Sequence, residues 1–173
     1  MELETATWML SMIPFFTIVF TPLFGALVDR TGKATTWMIT GSLLVLASHL
    51  LITFAPQGVA AYGYVAIALL GIGYSLVPSA MWPSVPKIVP EKNLGTAFSL
   101  IYWIQNMGMM IVPIFIGKIF KNGITESGNR MQEVTAAIHA EYIFILMGIV
   151  AITVAVLLYF SSRRHPELKL DEP

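Results

Sequence analysis

Cysteine is absent from this chain of 173 residues, and charged residues are scarce. Without a thiol the chain can form no disulfide, no thiolate metal site and no cysteine nucleophile, which excludes several classes of enzyme. Charged residues make up 12% of the sequence and hydrophobic residues 56%, whereas a soluble domain carries about 25% charged residues. Because the mean hydropathy is also high, at +0.74, the composition indicates an integral membrane protein.

The sequence also lacks the residue combinations that carry other chemistries. It has no nucleophile with a base at useful spacing, no phosphate-binding glycine loop, and no metal-ligand spacing among His49, His139 and His165. The formal net charge is zero and the basic residues are scattered, which argues against a nucleic-acid partner. We therefore predict a protein that is not an enzyme and that holds no metal and no cofactor.

Five apolar stretches are long enough to cross about 30 Å of hydrocarbon, which takes about 20 helical residues. Backbone amides that face lipid must bond within their own segment, and the short alternating strands of a β-barrel are missing, so the predicted fold class is all-α. The first stretch follows Glu2 and Glu4 instead of basic residues, so we expect it to remain and not to be cleaved as a leader. The predicted spans cover approximately residues 6–28, 34–54, 62–82, 94–120 and 141–160. The prolines expected to kink them are Pro14, Pro22, Pro78 and Pro113.

The distribution of basic residues predicts the orientation of these spans. If the turn after the first span is cytoplasmic, seven basic residues lie on that side and three on the other, which fits the positive-inside rule. The N-terminus is then outside, and residues 161–173 form a cytoplasmic tail. Residues 85–93 are expected to form a cytoplasmic loop. Residues 121–140 are expected to form a polar extracytoplasmic loop with a short surface helix over residues 133–138.

The strongest functional clue is a charged turn between the first two spans. It contains an acid, two bases and two glycines between apolar stretches: Gly25, Asp29, Arg30, Gly32 and Lys33. The Asp29 carboxylate can pair with Arg30 or another base, or it can face the positive N-terminus of an adjoining helix. The two glycines permit close backbone approach and a tight turn.

Residues 25–33 resemble the G-x-L-x-D-R-x-G-[KR] motif of the major facilitator superfamily, with Ala34 in place of a further base. In that family one copy of the motif joins helices two and three, and a second copy joins helices eight and nine. Five spans followed by a charged tail fit helices eight to twelve. The competing placement, helices two to six, requires truncation at both ends. The resemblance implies a polytopic membrane protein with five transmembrane helices and a partial major facilitator fold.

A series of further motifs is similar to the C-terminal half of one branch of that superfamily, typified by major facilitator superfamily domain-containing protein 1. After the pair Ser48 and His49, the motifs cover residues 73–76, 80–83, 89–91, 94–97 and 104–108. The resemblance implies secondary transport of a small solute by alternating access, with dipeptides or related amphiphilic metabolites as expected substrates. It also implies that the charged turn latches one conformation. The alternative is that the turn only sets the topology.

Polar side chains in the third and fourth spans are the candidate substrate contacts. Tyr102 and Asn106 share one helical face of the fourth span, and Gln105 lies beside Asn106. Because the resemblance makes this span helix eleven, which borders the central cavity, we predict substrate binding by Tyr102, Gln105 and Asn106, together with Tyr74 on the third span. The alternative is hydrogen bonding between helices. Trp82 is expected in the interfacial aromatic belt.

His49 is the titratable residue deep in a span, where it can act as a proton carrier or as a hydrogen-bonded structural group. The resemblance places it on a peripheral helix, which favours the structural role. No acidic residue is expected deep in the spans. Carboxylates that couple ions to transport are therefore expected in helices outside this chain, unless the carrier is a uniporter.

The expected partners are membrane lipid, a small-molecule substrate, and the missing N-terminal half of the transporter or an equivalent partner. Two alternatives to this function remain open. The chain can be a non-transporting membrane subunit, or it can be an inactive fragment that needs the missing helices. We expect it in a bacterial inner membrane and not in a lysosome.

Overall fold

The computed structural model describes residues 3–56, 58–124 and 129–172. These residues form five long α-helices and no strand: α1 Leu3–Thr31, α2 Ala34–Phe54, α3 Ala60–Ile88, α4 Leu94–Gly123 and α5 Arg130–Arg164. Each helix is long and apolar enough to cross a membrane. Short 3-10 helices, Glu91–Asn93 and Pro166–Leu168, follow α3 and α5. The predicted all-α fold with five membrane-crossing helices is confirmed.

Three helices extend into segments that the sequence predicts as loops, and the shortest extension is that of α4, which continues to Gly123. α3 continues through Pro83 and Pro86 to Ile88, although residues 85–93 were expected to form a loop. Ser84 and Val85 are buried, so tertiary packing outweighs the tendency of proline to end a helix. The 3-10 helix Glu91–Asn93 then leads directly into α4.

α5 begins at Arg130, inside the predicted loop over residues 121–140, and the predicted surface helix over residues 133–138 is part of it. The Asn129 side chain accepts a hydrogen bond from the Gln132 N–H at 3.1 Å and caps the first turn of α5. This cap explains the early start. Of the predicted loop, residues 125–128 lie outside the described residues.

The backbones of α2 and α3 lie in direct contact. A Cβ atom added to Gly73 would lie 2.7 Å from the Gly41 carbonyl oxygen, and one added to Gly41 would lie 2.7 Å from Val77 Cγ2. Farther along the same interface, the Ser48 hydroxyl donates to the Ala66 carbonyl at 2.7 Å. Small residues that allow close approach, together with hydrogen bonds between helices, are what holds helices together in lipid. α2 and α3 therefore form the centre of the bundle.

The other helices are arranged around this pair. α1 packs on α3, α5 packs on α2, and α4 mainly contacts α5. α4 has no buried residue, and large side chains such as Trp103 and Met109 are exposed along it. At the α1–α2 turn, a cluster of buried side chains joins α1 and α2 to α3 and α5: Val28, Ala34, Met38, Ala80 and Ala155.

From the Gly41–Gly73 contact we predict that a larger residue at position 73 destabilises the bundle. Replacing Gly73 with Ala places a methyl group against the α2 backbone, so we expect a loss of about 1–3 kcal/mol in the free energy of unfolding. The measurement is thermal unfolding of the chain in detergent or nanodiscs. Gly117→Ala is the matched control, because Gly117 also lies within a helix but has nothing within 4 Å of its added Cβ. Equal melting temperatures for the two variants would contradict the close α2–α3 contact.

Candidate functional site

The charged turn is tight and its backbone conformation is unusual. α1 ends at Thr31 and α2 begins at Ala34, and the two residues between them have positive φ angles, 61° at Gly32 and 55° at Lys33. Glycine adopts this conformation freely, whereas a residue with a side chain pays about 1–2 kcal/mol. The Trp37 indole N–H donates to the Thr31 hydroxyl at 2.9 Å and steadies the turn.

The charged residues of the motif do not pair with each other. Asp29 and Arg30 are both exposed, and neither forms an ion pair within the described residues. Gly25 has open space where a Cβ would lie, so close backbone approach is not its role within this part of the chain. Asp29 lines a cleft of about 230 Å³ that Gly32 and Lys87 also border. The carboxylate that faces the N-terminus of α2 belongs to Asp171, which accepts the Thr35 N–H at 2.9 Å.

A second feature is a crevice of about 450 Å³ between α2, α3, α4 and α5. It forms because α4 has no buried residue and does not close against the α2–α3 pair. Its walls are mainly apolar, and its polar groups come from Ser42, Tyr74, Trp82 and Gln105. Such a volume with a few placed polar groups suits a small amphiphilic molecule.

Tyr74 and Gln105, from α3 and α4, are two of the predicted substrate residues, and the structure brings both to this crevice. Tyr74 is 56% exposed. Neither the Tyr74 hydroxyl nor the Gln105 amide bonds to any other group in the described part of the chain, so both are available to a ligand. The sequence could suggest each residue separately, but only the positions of α3 and α4 show that they share one cavity.

Tyr102 and Asn106, the other two predicted substrate residues, do not line the crevice. The Asn106 amide donates to the Tyr102 carbonyl on its own helix at 2.7 Å. The Tyr102 ring stacks on Trp82 with a centroid distance of 5.1 Å. Trp82 also lines the crevice, and its place in the interfacial aromatic belt stays a prediction. Its spacing on α3, four residues after Pro78 and eight after Tyr74, was the signal that places it on the same helical face.

His49 contacts a carboxylate on another helix, a partner that its neighbours in the sequence do not reveal. Its Nδ1 atom lies 2.7 Å from the Glu141 carboxylate, with the two side chains 11% and 19% exposed. The His49 ring also stacks on Phe144 with a centroid distance of 5.0 Å. We expected no acidic residue deep in the spans, and Glu141 is the first residue of the fifth predicted span. The packing of α5 on α2 brings the two residues together.

Comparison with known proteins places these features in a family. The family model described as Major Facilitator Superfamily matches residues 1–173. The chain is 30% identical to the lysosomal dipeptide transporter MFSD1 of Bos taurus over 179 residues, which covers 97% of the chain and 35% of that relative. It is 36% identical to the lysosomal dipeptide transporter MFSD1 of Homo sapiens over 116 residues, 67% of the chain and 24% of that relative.

A bacterial relative is also similar. The uncharacterized MFS-type transporter YwoD of Bacillus subtilis (strain 168) is 27% identical over 126 residues, 72% of the chain and 28% of that relative. The chain thus spans only about a third of the length of the curated relatives that it matches, at most 36%. The predicted resemblance to a partial member of this superfamily, near the branch of the dipeptide transporters, is confirmed.

From the His49–Glu141 pair we predict that loss of the Glu141 carboxylate destabilises the bundle. Glu141→Gln replaces the carboxylate that contacts His49 in a poorly exposed pair with a neutral amide, so we expect the free energy of unfolding to fall by about 1–3 kcal/mol. Thermal unfolding of Glu141→Gln, His49→Gln and the double variant gives the coupling energy. Glu133→Gln, an exposed acid on the same helix, is the control. Strictly additive effects of the two substitutions would contradict a direct interaction.

Proposed function

Because this chain belongs to the Major Facilitator Superfamily, we propose that it is part of a secondary transporter that moves a small solute across a membrane by alternating access. The observation that carries the proposal beyond the family match is the crevice, where the Tyr74 hydroxyl and the Gln105 amide have no partner within the described residues. A cavity of this kind between membrane-crossing helices suits reversible binding. We propose a carrier and not an enzyme.

We propose that the five helices correspond to helices eight to twelve of the whole carrier. Transporters of this superfamily bind substrate between two repeats, so one partial repeat cannot enclose the transport pathway. The exposed faces of α4 and the share of the relatives that the chain covers, 35% of the Bos taurus protein, support a missing partner. That partner is the N-terminal half of the transporter or its equivalent, and lipid covers the remaining surface.

The proposed substrates are dipeptides or related amphiphilic metabolites. Apolar walls from Val45, Val77 and Ile104 suit apolar side chains, while the Gln105 amide can both donate and accept hydrogen bonds, as a peptide group requires. The names of the mammalian relatives, which are dipeptide transporters, support the same class. Tyr102 and Asn106 remain predicted substrate contacts of the complete carrier, whose cavity includes surfaces outside this crevice.

The charged turn is proposed as a conformational gate, with Gly25, Asp29, Arg30, Gly32 and Lys33 as its residues. The tight turn at Gly32 and Lys33 and the cluster of buried side chains beside it support a role in holding α1, α2, α3 and α5 in one arrangement. A turn that only sets topology remains the alternative. Transport and accessibility that are both unchanged in Asp29→Asn would favour that alternative.

We propose that the N-terminus is outside and the C-terminus cytoplasmic, on the basis of the basic residues at the end of the bundle that holds the charged turn. The chain is an integral multi-pass membrane protein in any orientation. Location in a bacterial inner membrane stays a prediction. The relatives include lysosomal proteins of mammals and a protein of Bacillus subtilis.

Transport by the complete carrier that contains this chain tests the proposal. We expect counterflow of a radiolabelled dipeptide in proteoliposomes. We also expect Gln105→Ala to raise KM roughly 3- to 10-fold, the range for the loss of one hydrogen bond. Thr153→Ala is the control, because Thr153 is exposed on α5 and bonds only to Ile149 of its own helix. Absence of counterflow would contradict the transport proposal. An unchanged KM in Gln105→Ala would contradict the proposal that the crevice binds the substrate.

A further inference from the structure

The segment that follows α5 folds back onto the charged turn. After the 3-10 helix Pro166–Leu168, Lys169 takes a left-handed conformation with φ 49°. The next residue, Leu170, is only 1% exposed and borders the same small cleft as Asp29 and Gly32. We call residues 169–172 the clasp. A leucine this deeply buried shows that the clasp is packed into the bundle and does not extend into solvent.

The Asp171 carboxylate is the centre of the clasp. It accepts hydrogen bonds from the Thr35 N–H at 2.9 Å and from the Thr35 hydroxyl at 2.8 and 2.9 Å. It also accepts one from the Ser162 hydroxyl at 2.9 Å. Thr35 lies in the first turn of α2 and Ser162 in the last turns of α5. One carboxylate therefore joins the start of one helix to the end of another.

The backbone of the clasp adds two further bonds. The Asp171 carbonyl accepts the Lys33 N–H at 3.1 Å, which ties the clasp to the charged turn itself. The Glu172 carbonyl accepts the Lys87 ammonium at 2.7 Å, and Lys87 lies in the last turn of α3. The clasp thus bonds to α2, α3 and α5 at the end of the bundle where the charged turn lies.

α2 needs this contact because it lacks a cap of its own. Lys33 occupies its N-cap position without a side-chain hydrogen bond to the helix, although the first N–H groups of a helix have no partner within it. A carboxylate is well suited to that position, because it accepts these hydrogen bonds and carries the charge that the helix N-terminus attracts. Thr35 is 0% exposed while the clasp is docked, so Asp171 is the acceptor for a buried N–H and a buried hydroxyl.

We propose that the clasp is a conformational latch, with Asp171 as the positioning residue that holds the ends of α2, α3 and α5 in the arrangement seen here. Its bonds form only while those ends stay together, so it stabilises that one state against any state in which they separate. The consequence for transport rests on the proposed function: a carrier that moves these helix ends during its cycle must release the clasp. Asp171, which lies outside the family motif, then holds the charged turn in addition to the residues of the motif.

Hydrogen exchange on the whole chain in nanodiscs tests the latch without any transport measurement. We expect slow exchange at the amides of Lys33 and Thr35 in the parent chain. In Asp171→Ala exchange should become roughly 5- to 30-fold faster, as expected for loss of a helix cap. Glu167→Ala is the matched control, because Glu167 is an exposed acid just before the clasp, and its one ion pair among the described residues is with His165. Equal exchange in the parent and Asp171→Ala would overturn the proposal.

Cysteine labelling provides a second readout that does not depend on the Asp171 variant folding. The chain has no cysteine, so a single introduced thiol is labelled unambiguously. Leu170→Cys should react with a water-soluble maleimide much more slowly than Glu167→Cys, and adding Asp171→Ala should remove most of that difference. Equal labelling of the two cysteines in the parent background would show that the clasp is undocked and would overturn the proposal. Neither readout needs substrate. The latch proposal can therefore be refuted while the transport proposal is supported, and the transport proposal can be refuted while the latch proposal is supported.

Discussion

The close contact between the backbones of α2 and α3 is the constraint on which the rest of the bundle depends. Gly41 and Gly73 let the two helices approach so closely that a Cβ added to either glycine would lie 2.7 Å from an atom of the neighbouring helix. In lipid, where apolar side chains gain little by leaving the solvent, such packing and hydrogen bonds between helices are the main sources of association. With this pair in place, α1 has α3 to pack on and α5 has α2.

Different interactions join the helices at the two ends of the bundle. At the charged turn, buried side chains and the hydrogen bonds of Asp171 and Lys87 join four helices. Toward the other end, the His49–Glu141 pair joins α2 to α5. α4 shares in neither set of contacts and leaves the crevice open beside it. α4 therefore borders the crevice, while contacts at both ends join α2 to α5.

Much of the fold could be predicted from the sequence because lipid restricts the backbone to helices. Five apolar stretches therefore became five helices, and the motif at residues 25–33 indicated the family. The ends of the helices were harder to predict from the sequence. Burial of Ser84 and Val85 lets α3 continue past two prolines, and the Asn129 cap makes α5 begin earlier than predicted. The pairs His49–Glu141 and Thr35–Asp171 lie 92 and 136 residues apart. No local pattern marks such contacts, because they arise only when the helices pack.

We propose that the crevice serves transport only when this chain is joined by the helices that complete the carrier. The most direct measurement is uptake of a radiolabelled dipeptide by liposomes that contain this chain, the helices that complete the carrier, or both as separate polypeptides. We expect uptake above empty liposomes only when both polypeptides are present. Uptake by this chain alone, or no uptake when both polypeptides are correctly inserted, would contradict this proposal.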